Sequence, residues 1–517
     1  MRRRALLPES LQIVAVIRLP VSENRRSGRR IHTSDRRRGR GFLWAIWIPH
    51  PRSAFGRGSN ALASKKRSID LGFEGVGEVR REEAETRFAR DSRAWRRILA
   101  LASLAALTVG CRSKPSATTV VEFWALGREG EVVQRMIPDF ERRHPGIRLR
   151  VQQIPWSAAH EKLLTAYVGE AMPDVFQVGN TWIPEFVALN AIEPLDQRMQ
   201  SSTVIAVADY FPGILDTSVI ERATYGLPWY VDTRLLFYRS DLLERAGYPA
   251  PPRDWGAWVD AMTRVKERAA PGDFPTLLPV NEWQPLVILA LQLGADLLRE
   301  RDTYGDFESA AFRAAFTFYV DLFRRGLAPL ATQTQVANLY QDFARGAFVF
   351  YVSGPWNIGE FRERLPASVT WATAPWPAPD QRYPGVSLAG GASLAMFRGS
   401  PRKDAAWQWL EYLSEPAQQI ALYRLTGDLP SRKSAWTEEG PAGDEQTRAF
   451  RIQLDHVRPT PKIPEWERIA DEITRHAEAA IRGQVTIDEA LSALDRNVDA
   501  MLEKRRWLIE RGERLPS

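Results

Sequence analysis

Residues 120–179 read VVEFWALGREGEVVQRMIPDFERRHPGIRLRVQQIPWSAAHEKLLTAYVGEAMPDVFQVG, and their hydrophobic pattern decides the fold class. The apolar run Val120 to Leu126 predicts a buried strand. From Glu131 to His144, the residues Val132, Val133, Met136, Ile137 and Phe140 recur at helical spacing, and Pro145-Gly146 ends the helix. Ile147 to Ile154 predicts a second strand, about Ala158 to Glu170 a second helix, and PDVFQVG a third strand. Strand, helix, strand, helix, strand points to an α/β fold on a mostly parallel sheet with helices on its faces.

Beyond this unit, about Pro252 to Gly326 reads as mainly helical, with DWGAWVDAMTRV and ESAAFRAAFTFYVDLFRRG each carrying apolar residues on one face. Strand-like runs return at Phe348 to Val352 and Ser387 to Phe397, and helices follow at DAAWQWLEYLS and from about Glu465 to Glu510. No fixed-period repeat or low-complexity segment interrupts this order.

Upstream, RAWRRILALASLAALTVGC (residues 93–111) joins three arginines, the apolar or small run Ile98 to Val109, and the chain's one cysteine. The run is too short for a membrane-spanning helix, which needs about 20 apolar residues, but has the order of a secretory signal. LTVGC resembles the lipobox of bacterial lipoproteins, which implies that Cys111 becomes the lipidated first residue. Thr108 stands where that motif usually has leucine. A lone cysteine also excludes an intrachain disulfide. Residues 1–92 are basic, without sustained apolar periodicity; they read as lying before the true translation start, with a disordered basic arm as the alternative.

The net charge of +7 therefore misleads. Residues 1–110 hold 24 Lys and Arg against 10 Asp and Glu, whereas the remainder holds 46 against 53. The exported part is mildly acidic, which argues against a nucleic-acid partner. Its roughly 400 residues suffice for two domains.

YGLPWYVDTRLLFYRSDLLERAG (residues 225–247) resembles the central signature of the family 1 extracellular solute-binding proteins, the sugar-binding subunits of bacterial ABC importers. PPRDWGAWVDAM, FARGAFVFYVSGPW, SLAGGASLAMF and TGDLPSR are similar to that family's later elements and follow in its order. The resemblance implies a two-lobed periplasmic-binding-protein fold, type II-like, with hinge crossings and a ligand cleft between the lobes. The first lobe would take residues 112–229 and 378–430, and the second 230–377 and 431–517.

A sugar offers apolar C–H faces and a rim of hydroxyls, so its site needs flat aromatics and a few fixed polar groups. Asp232 matches the family's acidic residue at the first crossing, where a carboxylate can accept two hydroxyl hydrogen bonds, with Trp229 and Tyr230 beside it. Trp356 matches a ring-stacking position. Trp124 ends the first strand, and Arg128 and Glu129 follow in a loop resembling the family's first ligand loop. Asn180 and Trp182 follow the third strand. Gly390 and Gly391 would let backbone approach the ligand, and Trp283 and Trp376 are weaker candidates. Each also has a plain reading as hinge, turn or core packing; for Trp407 and Trp409 packing is the preferred one.

No G-x-S-x-G, H-E-x-x-H or phosphate-loop motif occurs, and His144, His160, His456 and His476 lack metal-ligand spacing. No cofactor, metal site or catalytic residue is expected. The alternatives are a secreted carbohydrate-active hydrolase, or a binding protein that loads a membrane sensor. Expected partners are a small carbohydrate, permease subunits and, through the lipid, the membrane; the protein should act as a monomer.

Overall fold

Two sheets, joined by short crossings, organise the chain. The computed structural model describes residues 118–336, 338–380 and 382–512. The export segment with Cys111 and the basic stretch before it lie outside the described residues. Among the described residues no helix is long and apolar enough to cross a membrane.

The first lobe opens with β1 (Thr119–Leu126), α1 (Gly127–Val132), α2 (Ile137–Arg143), β2 (Ile147–Ile154), α3 (Trp156–Val168) and β3 (Val175–Gly179). The single helix expected over Glu131 to His144 is thus two helices joined by a 3-10 turn at Val133–Arg135. Pro138 explains the break: it lacks an N–H and would clash with a carbonyl four residues back, so it sits in the first turn of a new helix. β4 (Leu227–Asp232) follows and carries Asp232 as its last residue, past the expected lobe limit at 229.

After two residues, Thr233 and Arg234, β5 (Leu235–Tyr238) already belongs to the second sheet. That lobe adds α4 (Trp255–Lys266), β6 (Thr276–Leu277), α5 (Gln284–Gln292), α6 (Ala310–Arg324), β7 (Phe350–Ser353), α7 (Trp356–Arg364) and β8 (Ala372–Ala374). α4 starts where it does because the Asp254 side chain accepts from the Ala257 N–H, the capping expected of Asp before an amphipathic run. The chain then returns to the first sheet through β9 (Gly390–Met396), α8 (Lys403–Ser414), α9 (Pro416–Thr426) and β10 (Leu429–Pro430). It ends on α10 (Trp466–Ile481), α11 (Ile487–Met501) and α12 (Glu503–Glu510), of which α10 and α11 pack on α6.

The six-stranded sheet runs β10-β4-β9-β3-β1-β2 and the four-stranded sheet β8-β5-β7-β6. β2, β1 and β3 are parallel, as the sequence pattern predicts. β9 is antiparallel to both β3 and β4, because it enters the sheet on its way back from the other lobe. Each lobe has its own apolar core: Val121, Phe123 and Trp409 in the first, Phe237, Trp258 and Phe350 in the second.

Candidate functional site

A cavity of about 570 Å³ lies where the carboxyl ends of β1, β2, β3 and β4 meet second-lobe residues, among them Trp283, Trp356 and Glu467. That size falls within the ~300–1,000 Å³ usual for small-molecule sites, and carboxyl strand ends are where open α/β sheets bind ligands. Arg128, Glu129, Asn180, Trp182, Tyr230, Asp232, Trp283, Trp356, Gly390 and Gly391 all line it. Trp124 and Trp229 do not. Alternation along β4 sends Tyr230 and Asp232 to the cleft and Trp229 into the core, 1% exposed and edge-on to Phe123. Trp124 stops short of the strand end, packs against the Leu126, Ile154 and Ala159 cluster and lies under the Lys162 ammonium. Trp376 is core as well, edge-on to Trp258.

The structure adds residues that the sequence reading did not nominate. Trp156 opens α3 at the end of β2, edge-on to Trp182 at 5.7 Å between centroids, and its indole N–H donates to Glu129 at 3.3 Å. Asp428 enters from the turn before β10, and Glu467 from the start of α10. Arg234 comes from the two-residue crossing after β4 and lies over the Trp356 ring, 4.5 Å from its centroid.

Carboxyl groups dominate the polar lining. Burial pushes the Asp428 carboxyl well above the usual carboxylate range, and the adjoining Glu129 carboxyl adds to it. Glu129 is raised by burial too, although the hydrogen bond from Trp156 and the nearby Asp428 and Gln177 side chains oppose that. Two neighbouring acids in a dry site each make the other harder to ionise. Asp232 is likewise raised by burial, with only partial relief from the Arg234 charge. Its Oδ1 lies 3.8 Å from Arg234 Nε, too far for a hydrogen bond, and is buried without a partner. Asp428 Oδ2 and Asn180 Nδ2 are also buried and unpartnered. Buried polar atoms left unpaired cost about 1–3 kcal/mol each, a cost that a bound hydroxylated ligand removes.

Tyr230 and Asn180 are held from behind. The Gln177 amide donates to the Tyr230 hydroxyl at 3.1 Å, and Ser393 donates to Asn180 Oδ1 at 3.1 Å, which leaves the Asn180 NH₂ for the cleft. Gly390 and Gly391 serve the sheet itself. A Cβ on Gly391, at φ +135°, would meet the Tyr230 carbonyl oxygen at 2.3 Å, and one on Gly390 would meet that of Asp232 at 2.7 Å.

Two contacts bridge the lobes at the cleft. Arg128 Nη1 donates to Glu360 on α7 at 2.7 Å, with Glu363 3.7 Å from Nη2, while Nη2 also donates to the Leu425 carbonyl of its own lobe at 3.4 Å. On the other rim Glu467, at the start of α10, is a neighbour of Thr181 across the cavity wall. Beside that rim, His160 bonds Glu185 at 2.6 Å. Burial alone would lower the His160 pKa; the Glu185 bond and the charges of Glu185, Glu467 and Glu161 outweigh it and raise it. Its stabilisation is therefore complete below the unfolded histidine pKa, about 6.5, and is lost as pH rises through the folded value. His160→Gln should cost stability at about pH 5.5, and its deficit against wild type should shrink toward about pH 8.5. Urea midpoints at both pH values measure this; a deficit that stays constant would show that the ring acts by packing on Trp182.

Residues 124–420 match the family model of bacterial extracellular solute-binding protein. The sugar-binding protein MalE from the phytopathogen Xanthomonas citri is 45% identical, with a TM-score of 0.72 over 76% of this chain and 99% of that one. The diacetylchitobiose binding protein DasA of Streptomyces coelicolor is 24% identical over 362 residues, 68% of this chain and 82% of that protein. A mannitol-binding protein of Pseudomonas aeruginosa is 23% identical over 389 residues, 70% of this chain and 88% of that protein. Two sheets joined by short crossings, the cleft between them and these likenesses place the chain in one family: it belongs to the bacterial extracellular solute-binding proteins.

Proposed function

We propose that this protein binds a carbohydrate between its lobes and delivers it to the permease of an ABC importer, without chemically changing it. The observation that carries this is the lining itself. Tryptophans 156, 182, 283 and 356 supply flat apolar surface, while Asp232, Asp428 and Asn180 present buried atoms without partners. Flat rings beside unpaired hydrogen-bonding atoms are what a hydroxyl-rimmed sugar ring satisfies. The 45% identity to a sugar-binding MalE points the same way. A first crossing at Thr233–Arg234, further lobe limits near residues 377/378 and 430/431, lipidation at Cys111 and a monomeric state complete the reading.

Closure couples binding to delivery. A ligand touching Asp232 and Asn180 on one lobe and Trp356 on the other stabilises the closed form; a ligand bound equally well in both states would shift nothing. Arg128, which lines the cleft, also reaches the opposite lobe through Glu360.

The test is a thermal-shift screen of residues 112–517 against neutral mono- and oligosaccharides, amino sugars, polyols and sugar phosphates. Saturable stabilisation by one class, with that compound recovered intact after overnight incubation, is the expected result. Consumption of the compound would move the assignment to a hydrolase, and no shift with any class would end the carbohydrate reading.

A further inference from the structure

The charges around the cavity are unevenly matched. Five carboxyl side chains line it (Glu129, Asp232, Glu360, Asp428 and Glu467), against two arginines and no lysine. Both arginines are already answered by acids. Arg128 is held by Glu360 at 2.7 Å and faces Glu363. Arg234 lies 3.8 Å from Asp232, stacks on Trp356 and feels the Glu282 charge. An anionic group entering the cleft would have to break these contacts before it met an unopposed cation.

Asp428 and Glu129 are not answered in return. Asp428 is 2% exposed and Glu129 6% exposed, each lines the cavity, and no arginine, lysine or histidine is bonded to either among the described residues. Asp428 Oδ2 and Asp232 Oδ1 are buried without a hydrogen-bond partner. Three elements bring this corner together: α1 supplies Glu129, the end of β4 supplies Tyr230 and Asp232, and the turn before β10 supplies Asp428. The charged and titratable groups facing Asp428 are therefore Glu129, Asp232 and the Tyr230 hydroxyl, with Arg234 beyond Asp232. A buried corner of three carboxyls with one neighbouring cation, Arg234, held 3.8 Å from Asp232 and outside hydrogen-bond reach, is a poor host for an anion and a good one for an ammonium group.

Resting on the carbohydrate reading and narrowing it, we propose that the cleft sorts sugars by charge, seating the ammonium of an amino sugar at the Asp428–Glu129–Asp232 corner and excluding sugar phosphates. Burial and their mutual repulsion raise the Asp428 and Glu129 carboxyls, and an arriving ammonium favours their ionised forms, so its binding displaces protons to solvent. Amino-sugar affinity then rises with pH for as long as the amine stays charged. Binding of a neutral sugar lacks that rise.

Calorimetry on the purified protein tests this with glucose, galactose, mannose, maltose and cellobiose, their 2-amino-2-deoxy counterparts and their 6-phosphates. The expected result is an amino sugar bound at least tenfold more tightly than its neutral parent at pH 7, proton release on binding, and no binding of the phosphates. Asp428→Asn keeps the shape of the side chain and removes its charge. It should reduce the amino-to-neutral affinity ratio at least tenfold and abolish the proton release; Asp232→Asn should act in the same direction, which keeps the test intact if one variant folds poorly. Neutral sugars bound as well as their amino counterparts, or any phosphate bound more tightly, would overturn the charge sorting while leaving the carbohydrate reading in place. If no sugar of any charge binds, both fall together.

Discussion

Trp409→Ala is expected to cost about 3 kcal/mol of folding stability and to leave ligand affinity of the folded protein nearly unchanged. The indole is fully buried on α8, where it meets Phe140 edge-on at 4.9 Å, Phe123 edge-on at 5.8 Å and Tyr412 in a stack at 5.4 Å. Truncating a buried tryptophan typically costs about 3–5 kcal/mol through lost transfer energy and the cavity left behind. The lower end applies here because the Trp409 N–H has no acceptor, so alanine also removes a buried unsatisfied donor. No direct contact links the ring to the cleft; Phe123, between them, lies on β1 upstream of Arg128 and Glu129. Urea unfolding followed by far-ultraviolet circular dichroism gives the stability, and calorimetry on the folded fraction gives the affinity. A tenfold loss of affinity would mean that this core positions the first ligand loop.

The outline of this molecule is legible in its sequence, because its elements are set by local pattern. β1 through β3 follow from apolar periodicity alone, and α4 begins at the capping aspartate that the pattern marks. The parallel half of the first sheet is predictable; the antiparallel half is not, since it depends on where β9 lands after crossing back. The site follows the same division. Asp232, Asn180, Trp182 and Trp356 sit at strand ends or crossings, positions a reading of elements can locate. Trp229 was distinguishable from Tyr230 by the two-residue period of β4, and Trp156 by its place at the end of β2, so local signals existed for both. Asp428 lies within the TGDLPSR stretch that carried the resemblance, yet nothing local shows that its carboxyl meets Glu129 some 300 residues earlier. Glu467 and the Arg128–Glu360 bridge depend on how two lobes close, a relation between faces that no local period encodes.

Trp356→Ala makes the opposite expectation from Trp409→Ala, although the substitution is the same: binding should weaken by at least tenfold, about 1.4–2 kcal/mol, with little change in the stability of the unliganded protein. The ring opens α7 at the cavity wall, only half buried, so its removal leaves a hollow open to the cleft instead of a closed void. It rests on Gly354, where a Cβ would meet ring carbon Cζ3 at 1.9 Å, so the glycine is what lets the indole lie flat against the strand end. One face carries the Arg234 guanidinium. Alanine therefore removes a stacking surface and also frees Arg234 to move onto Asp232, satisfying with protein charge an oxygen that the ligand would otherwise engage. The two effects separate in a double-mutant cycle: if part of the loss runs through Arg234, then Arg234→Ala on the Trp356→Ala background restores some affinity, and Trp356→Tyr, which keeps a flat ring, retains most of it. Equal losses of stability and affinity in Trp356→Ala would instead make this tryptophan a structural member of the second lobe, and the stacking role would be withdrawn.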